Sequence, residues 1–222
     1  MELILSLLLN TDKNHIVCLD IGCGDGIIIR KLLENNYKLE DKFKMIIGLD
    51  IAKSKLKRFK NNCHSNKVEY IIGDARKLCF KNNSVDIVLL FEVIEHFYKQ
   101  DGVKILHEIY NILKTPDGFL ILSTPSYHSP REKLARKSGN LGEHLHIYKF
   151  EELKEMLEKI GFRIEHFTTS GFMLPTGKFS WKTTEILLKI HPKILIFLER
   201  LIDRLSFLKE INWTMFIIAR RV

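Results

Sequence analysis

The residues best suited to do chemistry begin with a glycine-rich run, Asp20-Ile21-Gly22-Cys23-Gly24-Asp25-Gly26, directly after an apolar stretch. Glycine lets a backbone approach a ligand closely because no Cβ intervenes. A dinucleotide loop needs G-x-G-x-x-G, and here the third glycine position is Ile27. No Gly-Lys-Ser/Thr follows, which excludes a P-loop. The flanking aspartates would repel a phosphate, so the run favours a nucleoside-like ligand with a cationic end.

Two further aspartates follow apolar stretches in the same way. Asp50 stands in GLDIA and Asp74 stands in IIGDARKL. In an open parallel sheet, ligands bind beyond the carboxyl ends of the strands. Together with Asp20, these residues predict three carboxylates at the ends of three successive strands, which turn chemistry alone does not readily explain.

A second chemical group combines glutamate with histidine. Glu92, Glu95 and His96 lie at i, i+3 and i+4 after another apolar run, so a helix starting there would bring them to one face. With His144 or His146 they have the ligand types of a divalent-ion site. The alternative is that His96 hydrogen-bonds across the loop. We assign no metal-binding residue at this stage, and the divalent ion stays an alternative.

The elements that must position these residues alternate between short β-rich runs and helical stretches, which predicts a parallel sheet wrapped by helices. The strands are expected at 15–21, 44–50, 68–73, 85–91, 118–123, 162–168 and 213–220. The helices are expected at 26–36, 53–63, 101–113 and 149–160. About 25 residues, 125–149, connect the fifth strand to the fourth helix, and a loop of that length indicates a functional lid.

The four motifs, in this order, resemble the class I S-adenosylmethionine-dependent methyltransferases, specifically the type 11 and ubiquinone-biosynthesis-like branch. They are DIGCGDG, GLDIA, IIGDARKL and SVDIVLLFEVIEHF, and the resemblance covers about residues 16–162. It implies a three-layer Rossmann-like α/β fold with a seven-stranded, mostly parallel sheet whose last strand is antiparallel. It also implies S-adenosylmethionine as the cofactor, whose cationic nucleoside character agrees with the glycine run.

The resemblance assigns roles to individual positions. The first motif would wrap the methionine part of the cofactor, Asp50 would accept the ribose hydroxyls with Ile51 beside the adenine, and the next strand end would bind the adenine amino group and ring. The strand end around Leu90 and Phe91 would close over the methionine moiety. The implied cofactor-binding residues are Asp20, Gly22, Cys23, Gly24, Gly26, Asp50, Ile51, Asp74, Ala75, Leu90 and Phe91.

The methyl acceptor is expected to meet His144 and His96. Glu143-His144 resembles a family feature in the lid, and His144 is the first candidate to face the acceptor, as a base or as an orienting group. The pattern E-x-x-E-H with a distal His also resembles the small-RNA 3′-terminal 2′-O-methyltransferases. A metal-dependent RNA methyltransferase using Glu92, Glu95 and His96 is therefore one alternative, and a cofactor-binding protein without catalysis is another.

Bulk composition limits the remaining questions. A length of 222 residues indicates one domain, 1–222, and the formal charge of +8 is compatible with nucleic acid but is attributed mainly to solvated lysines. Four cysteines without a CxxC pair suit a reducing cytoplasm.

The apolar N-terminus, 1–10, is read as a covering helix. The segment 178–208 is read as an apolar helical insertion, interrupted by charges, whose part 186–208 would roof the pocket, dimerise or contact a membrane.

We therefore predict a cytoplasmic methyltransferase that acts on a small-molecule or lipid-like acceptor. Neither the acceptor nor the oligomeric state follows from the sequence.

Overall fold

The structure is a computed structural model that describes residues 15–34, 39–170 and 214–222. The expected N-terminal helix and the apolar segment 178–208 lie outside these residues. Within them, the predicted boundaries of strands and helices agree with the structure to about two residues.

Seven strands and five α-helices make up the described fold. The strands are β1 Ile16–Ile21, β2 Phe43–Asp50, β3 Val68–Ile72, β4 Ile87–Phe91, β5 Phe119–Pro125, β6 Phe162–Ser170 and β7 Thr214–Arg221. The helices are α1 Ile27–Glu34, α2 Lys53–Asn62, α3 Lys99–Ile112, α4 Pro130–Ser138 and α5 Phe150–Ile160. Two 3₁₀ turns, Leu39–Lys42 and Ile94–His96, complete the order.

The strands form one sheet in the order β3-β2-β1-β4-β5-β7-β6. The pairs from β3 across to β5 are parallel, whereas β7 runs antiparallel to both β5 and β6. This arrangement confirms the predicted fold class, including the antiparallel last strand. The strand order reverses between β1 and β4, and such a switch point opens a crevice at the carboxyl ends of the strands.

Helices cover both faces of the sheet, so its central strands are apolar on both sides. On one face, Leu19 and Leu90 pack with Ile105 of α3 and Leu157 of α5. On the other face, the second cluster joins the sheet to α1 and α2 through Ile29, Leu32, Leu56 and Phe59. The burial of both faces explains why β4 reads as the unbroken apolar run IVLLF.

Helix α4 lies inside the stretch that the sequence predicts as a lid. Ser129 caps its first turn, since the Ser129 hydroxyl accepts a hydrogen bond from the Glu132 amide at 3.2 Å. Gly139 ends it with a left-handed φ of 70°. Residues 125–149 are thus a structured connection rather than an irregular loop.

Among the described helices, none is both long enough and apolar enough to cross a bilayer.

Candidate functional site

The glycine loop between β1 and α1 is held by the end of β2. The amides of Gly22 and Cys23 both donate to the Leu49 carbonyl, at 2.7 and 3.1 Å. Gly22, Gly24 and Gly26 have positive φ values of 70°, 55° and 75°, a region that disfavours any residue with a Cβ. A Cβ on Gly26 would lie 2.0 Å from the Phe59 ring, so this glycine also lets the loop pack against α2.

Asp50 joins this loop to the start of α2. Its two carboxylate oxygens accept hydrogen bonds from the Gly24 amide at 2.9 Å and the Ala52 amide at 2.7 Å. Each carboxylate oxygen has further lone pairs, so these amides orient the carboxylate and leave it able to accept hydroxyl groups. Asp50 is buried but still lines the crevice at the switch point.

Asp20 ends β1 beside Asp50 and is 2% exposed. Burial, followed by the charge of Asp50, raises the pKa of Asp20 to about 8. Its Oδ2 atom is buried and has no hydrogen-bond partner among the described residues. Such a carboxyl group is stabilised by a cationic or hydrogen-bonding ligand, which agrees with the predicted ligand type.

Asp74 follows β3 and forms a bidentate ion pair with Arg76. The Arg76 guanidinium donates to Oδ1 at 3.0 Å and to Oδ2 at 2.6 Å, and these bonds lower the pKa of Asp74. Arg76 also lies 5.7 Å from the centre of the Phe97 ring. Asp74, which the sequence predicts to bind the adenine amino group, is therefore already paired with Arg76. Ala75 beside it is buried.

A cavity of about 420 Å³ occupies the crevice. Five of the eleven predicted cofactor residues line it: Gly22, Asp50, Ile51, Asp74 and Ala75. Leu90 does not, because it is fully buried in the core, and Phe91 packs against the second core cluster. The segment that follows β4 lines the cavity instead, through Glu92, Val93, His96 and Phe97.

The chemistry of the lining fits a nucleoside with a cationic tail. Ile51 is 69% exposed and presents an apolar surface to the cavity, and Asp50 offers carboxylate oxygens close to it. Asp20 does not line the cavity itself, but its buried Oδ2 atom keeps no hydrogen-bond partner among the described residues. Cys23 is buried, and burial raises the pKa of its thiol, so this residue packs rather than reacts.

The segment after β4 turns sharply before α3. Glu92 has a φ of 53°, which is uncommon for a residue other than glycine and typical of functional sites. Its Oε1 accepts a hydrogen bond from the Ser123 hydroxyl at 2.7 Å. The 3₁₀ turn Ile94–His96 follows, so Glu92 stands outside the turn that carries Glu95 and His96.

Glu95 is fully buried beneath this turn. Burial, with a smaller contribution from the charge of Glu92, raises the pKa of Glu95 to about 8. Thr124 donates to Oε2 at 3.0 Å, whereas Oε1 has no partner in the described part of the chain. The Glu95 carbonyl accepts the amides of Leu145 and His146, which attaches the lid to the turn.

His96 and His144 meet above Glu95, with ring centres 5.3 Å apart. His96 Nδ1 lies 3.1 Å from the Glu143 carbonyl, and His144 Nδ1 lies 3.6 Å from Oε2 of Glu132 in α4. Glu132 is 2% exposed, and both its Oε2 and His144 Nδ1 lack hydrogen-bond partners in the described residues. The structure therefore gathers Glu95, His96, Glu132 and His144 from three elements.

Aromatic contacts fix the lid to its own ends. The Arg136 guanidinium lies 3.6 Å from the centre of the Tyr127 ring and donates to the Tyr127 carbonyl at 2.6 Å. The Tyr127 amide in turn donates to the Tyr148 carbonyl at 3.2 Å. His146 is directed elsewhere, since its Nε2 lies 3.1 Å from Glu152 of α5.

Sequence reasoning missed Glu132 and the cavity residues Val93, Arg76 and Phe97. Glu132 stands three residues after Ser129, and S-x-x-E reads as a helix-capping signal rather than as a buried carboxylate. Val93 lies within the strand-end motif SVDIVLLFEVIEHF, and that position was the available sequence signal. In the structure, a Cβ on Gly22 would lie 2.4 Å from Cγ2 of Val93.

Comparison with known proteins adds independent findings. Residues 19–122 match a family model described as a methyltransferase domain. A Mycolicibacterium smegmatis protein described as a probable S-adenosylmethionine-dependent methyltransferase is 28% identical over 149 residues, covering 66% of this chain and 52% of that protein. The sterol 24-C-methyltransferase of Saccharomyces cerevisiae is 28% identical over 157 residues, covering 66% of this chain and 39% of that protein.

The chain thus spans about half the length, or less, of these curated relatives. Among solved structures, a SAM dependent methyltransferase from Archaeoglobus fulgidus superposes with a TM-score of 0.66 at 21% identity. That superposition covers 99% of this chain and 94% of the other. At this identity, the likeness supports the fold.

Proposed function

Because the chain belongs to the class I S-adenosylmethionine-dependent methyltransferases of type 11, we propose that it transfers the cofactor's methyl group to a small-molecule or lipid-like acceptor. The observation that carries this proposal is the cavity at the switch point of the sheet. It joins Asp50 and Ile51 on one side to His96 and Glu143 on the other. A cofactor bound there would lie beside His96 of the 3₁₀ turn and Glu143 of the lid.

In this proposal, residues at the ends of β1, β2 and β3 bind the cofactor. The glycine loop would contact the methionine part, with the Asp20 carboxyl as partner for its cationic amino group. Asp50 would accept the ribose hydroxyls, Ile51 and Ala75 would contact the adenine, and Leu90 and Phe91 would support this lining from the core. S-adenosylmethionine supplies an activated methyl group on a sulfonium, so the protein must mainly align the acceptor and exclude water.

His144 and His96 are the residues we propose to face the acceptor. An imidazole ring can accept a proton or orient a nucleophile by hydrogen bonding. The lid, residues 125–149, would cover the acceptor. Its attachment through Arg136 and the Glu95 carbonyl would keep His144 in place.

A lipid-like acceptor agrees with the similarity to the sterol 24-C-methyltransferase of yeast. The four free cysteines agree with a reducing cytoplasm as the site of action. The role of segment 186–208 stays a prediction: it would roof the pocket, form a dimer face or contact a membrane.

The proposal is tested by incubating the protein with S-adenosylmethionine labelled in the methyl group and a set of hydroxylated aromatic, sterol and carboxylate acceptors. We expect label to move to at least one acceptor and to stop when Asp50 is replaced by alanine. Tight binding of S-adenosylhomocysteine without transfer to any acceptor would instead favour the non-catalytic alternative. Transfer to single-stranded RNA alone would favour the RNA methyltransferase alternative.

A further inference from the structure

One side of the cavity is acidic. The lining residues from the segment after β4 and from the lid form this β4 side: Glu92, Val93, His96, Phe97 and Glu143. Two of them are carboxylates and, among the described residues of this side, none is a lysine or an arginine. The lining cations Lys55 and Arg76 belong to the opposite side, and Arg76 is already paired with Asp74. A ligand group on the β4 side therefore meets negative charge that no lysine or arginine of its lining offsets.

Glu92 is held so that one carboxylate oxygen stays available. Its amide donates to the Ser123 carbonyl at 3.0 Å, and its Oε1 accepts the Ser123 hydroxyl at 2.7 Å. Ser123 is buried in β5, so both contacts have a fixed anchor. Oε2 of Glu92 has no hydrogen-bond partner in the described parts of the chain, and the residue is exposed to the crevice. A carboxylate oriented in this way is preorganised to accept a donor from a ligand.

Glu92 also stands close to the proposed position of the reacting methyl group. Val93, the next residue, packs on the glycine loop, since a Cβ on Gly22 would lie 2.4 Å from its Cγ2. That loop is proposed to contact the methionine part of the cofactor, which carries the sulfonium. A group bound by Glu92 would therefore belong to the methyl acceptor and lie near the atom that is methylated.

Two buried carboxyl groups behind this wall lack hydrogen-bond donors. Oε1 of the fully buried Glu95 and Oε2 of the 2% exposed Glu132 have no partner within the described ranges. The Glu95 carboxylate lies within 4.8 Å of a ring nitrogen of His96, which lines the cavity. Arg131 approaches Glu132 only to 4.0 Å and is 65% exposed, so it offsets little of this charge. Buried carboxyl groups without donors are costly, which is a second observation that this region is completed by a cationic ligand.

We propose that the methyl acceptor carries a protonated amine, that Glu92 binds this amine through Oε2, and that Glu143 adds a second negative charge beside it. An alkylammonium group has a positive charge and up to three N–H donors, which the β4 side lacks. Hydrogen bonds between an ammonium and a carboxylate are stronger than those between neutral groups. The inference rests on the proposed function, because it specifies the substrate class of the same cavity.

This subsite would select acceptors by charge. A carboxylate or a phosphate next to Glu92 would be repelled and would lose hydration without gaining a partner. A hydroxyl group of similar size would form a hydrogen bond but no ion pair. The β4 side would therefore favour an amine over a matched alcohol, and an alcohol over a matched acid.

Charge selection is tested by calorimetry on the full chain saturated with S-adenosylhomocysteine. The probes are phenethylamine, tyramine and octylamine, each compared with the alcohol and the carboxylic acid of the same length. We expect at least one amine to bind about tenfold or more tightly than its alcohol, and the acid to bind most weakly. If no amine binds more tightly than its matched alcohol, the proposal is overturned.

The variant Glu92→Gln tests whether this carboxylate carries the selection. Glutamine keeps the length of the side chain and an oxygen for the Ser123 hydroxyl, but it removes the charge. The amine should then bind no more tightly than the alcohol, whereas affinity for S-adenosylhomocysteine should stay within about threefold of wild type. Glu143→Gln should lower the preference by about two- to threefold, because its side chain is exposed.

Glu69→Gln, at an exposed position in β3, is the matched control and should keep the full preference for amines. An unchanged preference in Glu92→Gln overturns the proposal. A loss of S-adenosylhomocysteine affinity of about tenfold or more in Glu92→Gln would assign Glu92 to the cofactor, which overturns the proposal as well.

Transfer from S-adenosylmethionine labelled in the methyl group separates this proposal from the proposed function. We expect tyramine to be methylated with a kcat/KM at least about tenfold above that of its matched alcohol. Transfer to alcohols or acids with a kcat/KM equal to or above that of the amines overturns the amine proposal and leaves the methyltransferase proposal standing. A preference for amines in a protein that binds no S-adenosylhomocysteine contradicts the methyltransferase proposal alone.

Discussion

The two halves of the crevice are built in different ways. The half at the ends of β1 and β2 is nearly complete in itself. The Asp50 carboxylate accepts the amides of Gly24 and Ala52 at 2.9 and 2.7 Å, and the Leu49 carbonyl accepts two further loop amides at 2.7 and 3.1 Å. The half between β4 and the lid is incomplete, since Glu95, Glu132 and His144 each keep a buried polar atom without a partner in the described residues. One half is a preformed cradle, and the other is a set of groups that require a further ligand.

This difference bears on which half binds the cofactor, which is the same in every turnover, and which half binds the methyl acceptor. A loop held in place by its own backbone hydrogen bonds loses little conformational entropy when it binds the cofactor. Groups contributed by a 3₁₀ turn, a short helix and a connecting loop can be changed one at a time without disturbing the sheet. We therefore propose that the first half, called the cofactor half, binds the cofactor and that the second half, called the acceptor half, faces the acceptor.

The largest expected effect tests whether the cofactor half depends on close packing. Gly26→Ala places a Cβ 2.0 Å from the Phe59 ring at a φ of 75°, so we expect the free energy of unfolding to fall by about 2–5 kcal/mol. Gly139→Ala is the matched control, because its φ is 70° and nothing lies within 4 Å of the added Cβ. Its loss should be about 1 kcal/mol. Equal losses in urea denaturation would show that packing against α2 contributes nothing.

The next effect concerns Asp20, whose buried Oδ2 atom has no hydrogen-bond partner in the ranges that the structure describes. Between the unfolded pKa of Asp20, near 4, and its folded pKa of about 8, the folded protein keeps a proton that the unfolded chain releases. The free energy of unfolding should therefore fall as pH rises through this window and level off above it.

Asp20→Asn removes that titration, so its stability relative to the wild type should rise from pH 5 to pH 8, by about 3–4 kcal/mol over this range. Urea denaturation at several pH values measures the difference. Parallel curves for the two proteins would show that Asp20 is not buried in the way described. The same variant should bind S-adenosylhomocysteine more weakly, because its amino group loses a carboxylate partner.

A smaller effect tests whether the acceptor half is separate from the cofactor half. Arg136→Met removes the hydrogen bond to the Tyr127 carbonyl and the contact with the Tyr127 ring, at a cost of about 1–2 kcal/mol in stability. Affinity for S-adenosylhomocysteine, measured by calorimetry, should stay within about twofold of wild type. A tenfold loss of affinity would mean that the lid anchors the cofactor as well as the acceptor.

The smallest effect is expected at the rim of the cavity. Arg76→Ala frees the Asp74 carboxylate, but the Arg76 side chain is 47% exposed and that of Asp74 is 33% exposed, and ion pairs with this much contact with solvent contribute little. We expect calorimetry to show a change in S-adenosylhomocysteine affinity of at most about fivefold. A larger loss would make Arg76 a direct cofactor contact.

The sequence predicted the cofactor half better than the acceptor half for a physical reason. Strand periodicity and the glycine run are local patterns, and in a parallel sheet they place Gly22, Asp50 and Asp74 at one edge without further information. Leu90 was assigned to the lining by resemblance, but a residue in a strand that is covered on both faces is buried, and Val93 lines the cavity instead.

The acceptor half depends on contacts between distant residues. Leu145 and His146 attach to the Glu95 carbonyl from about 50 positions away, and no local pattern encodes that contact. The E-x-x-E-H string and a distal histidine raised the idea of a metal ion, yet the burial of Glu132 depends on how α4 packs. The long connection was predicted, whereas the helix within it and its inward carboxylate were not.

Calorimetric titration of S-adenosylhomocysteine shows whether the preformed half of the crevice binds the cofactor independently of the acceptor half. Wild type and Glu95→Gln should bind one equivalent with affinities within about threefold of each other. Asp50→Ala should lose at least about thirtyfold, because two amide donors lose their acceptor and the ribose loses its carboxylate. No binding to the wild type, or binding by Asp50→Ala that equals it, would contradict the account.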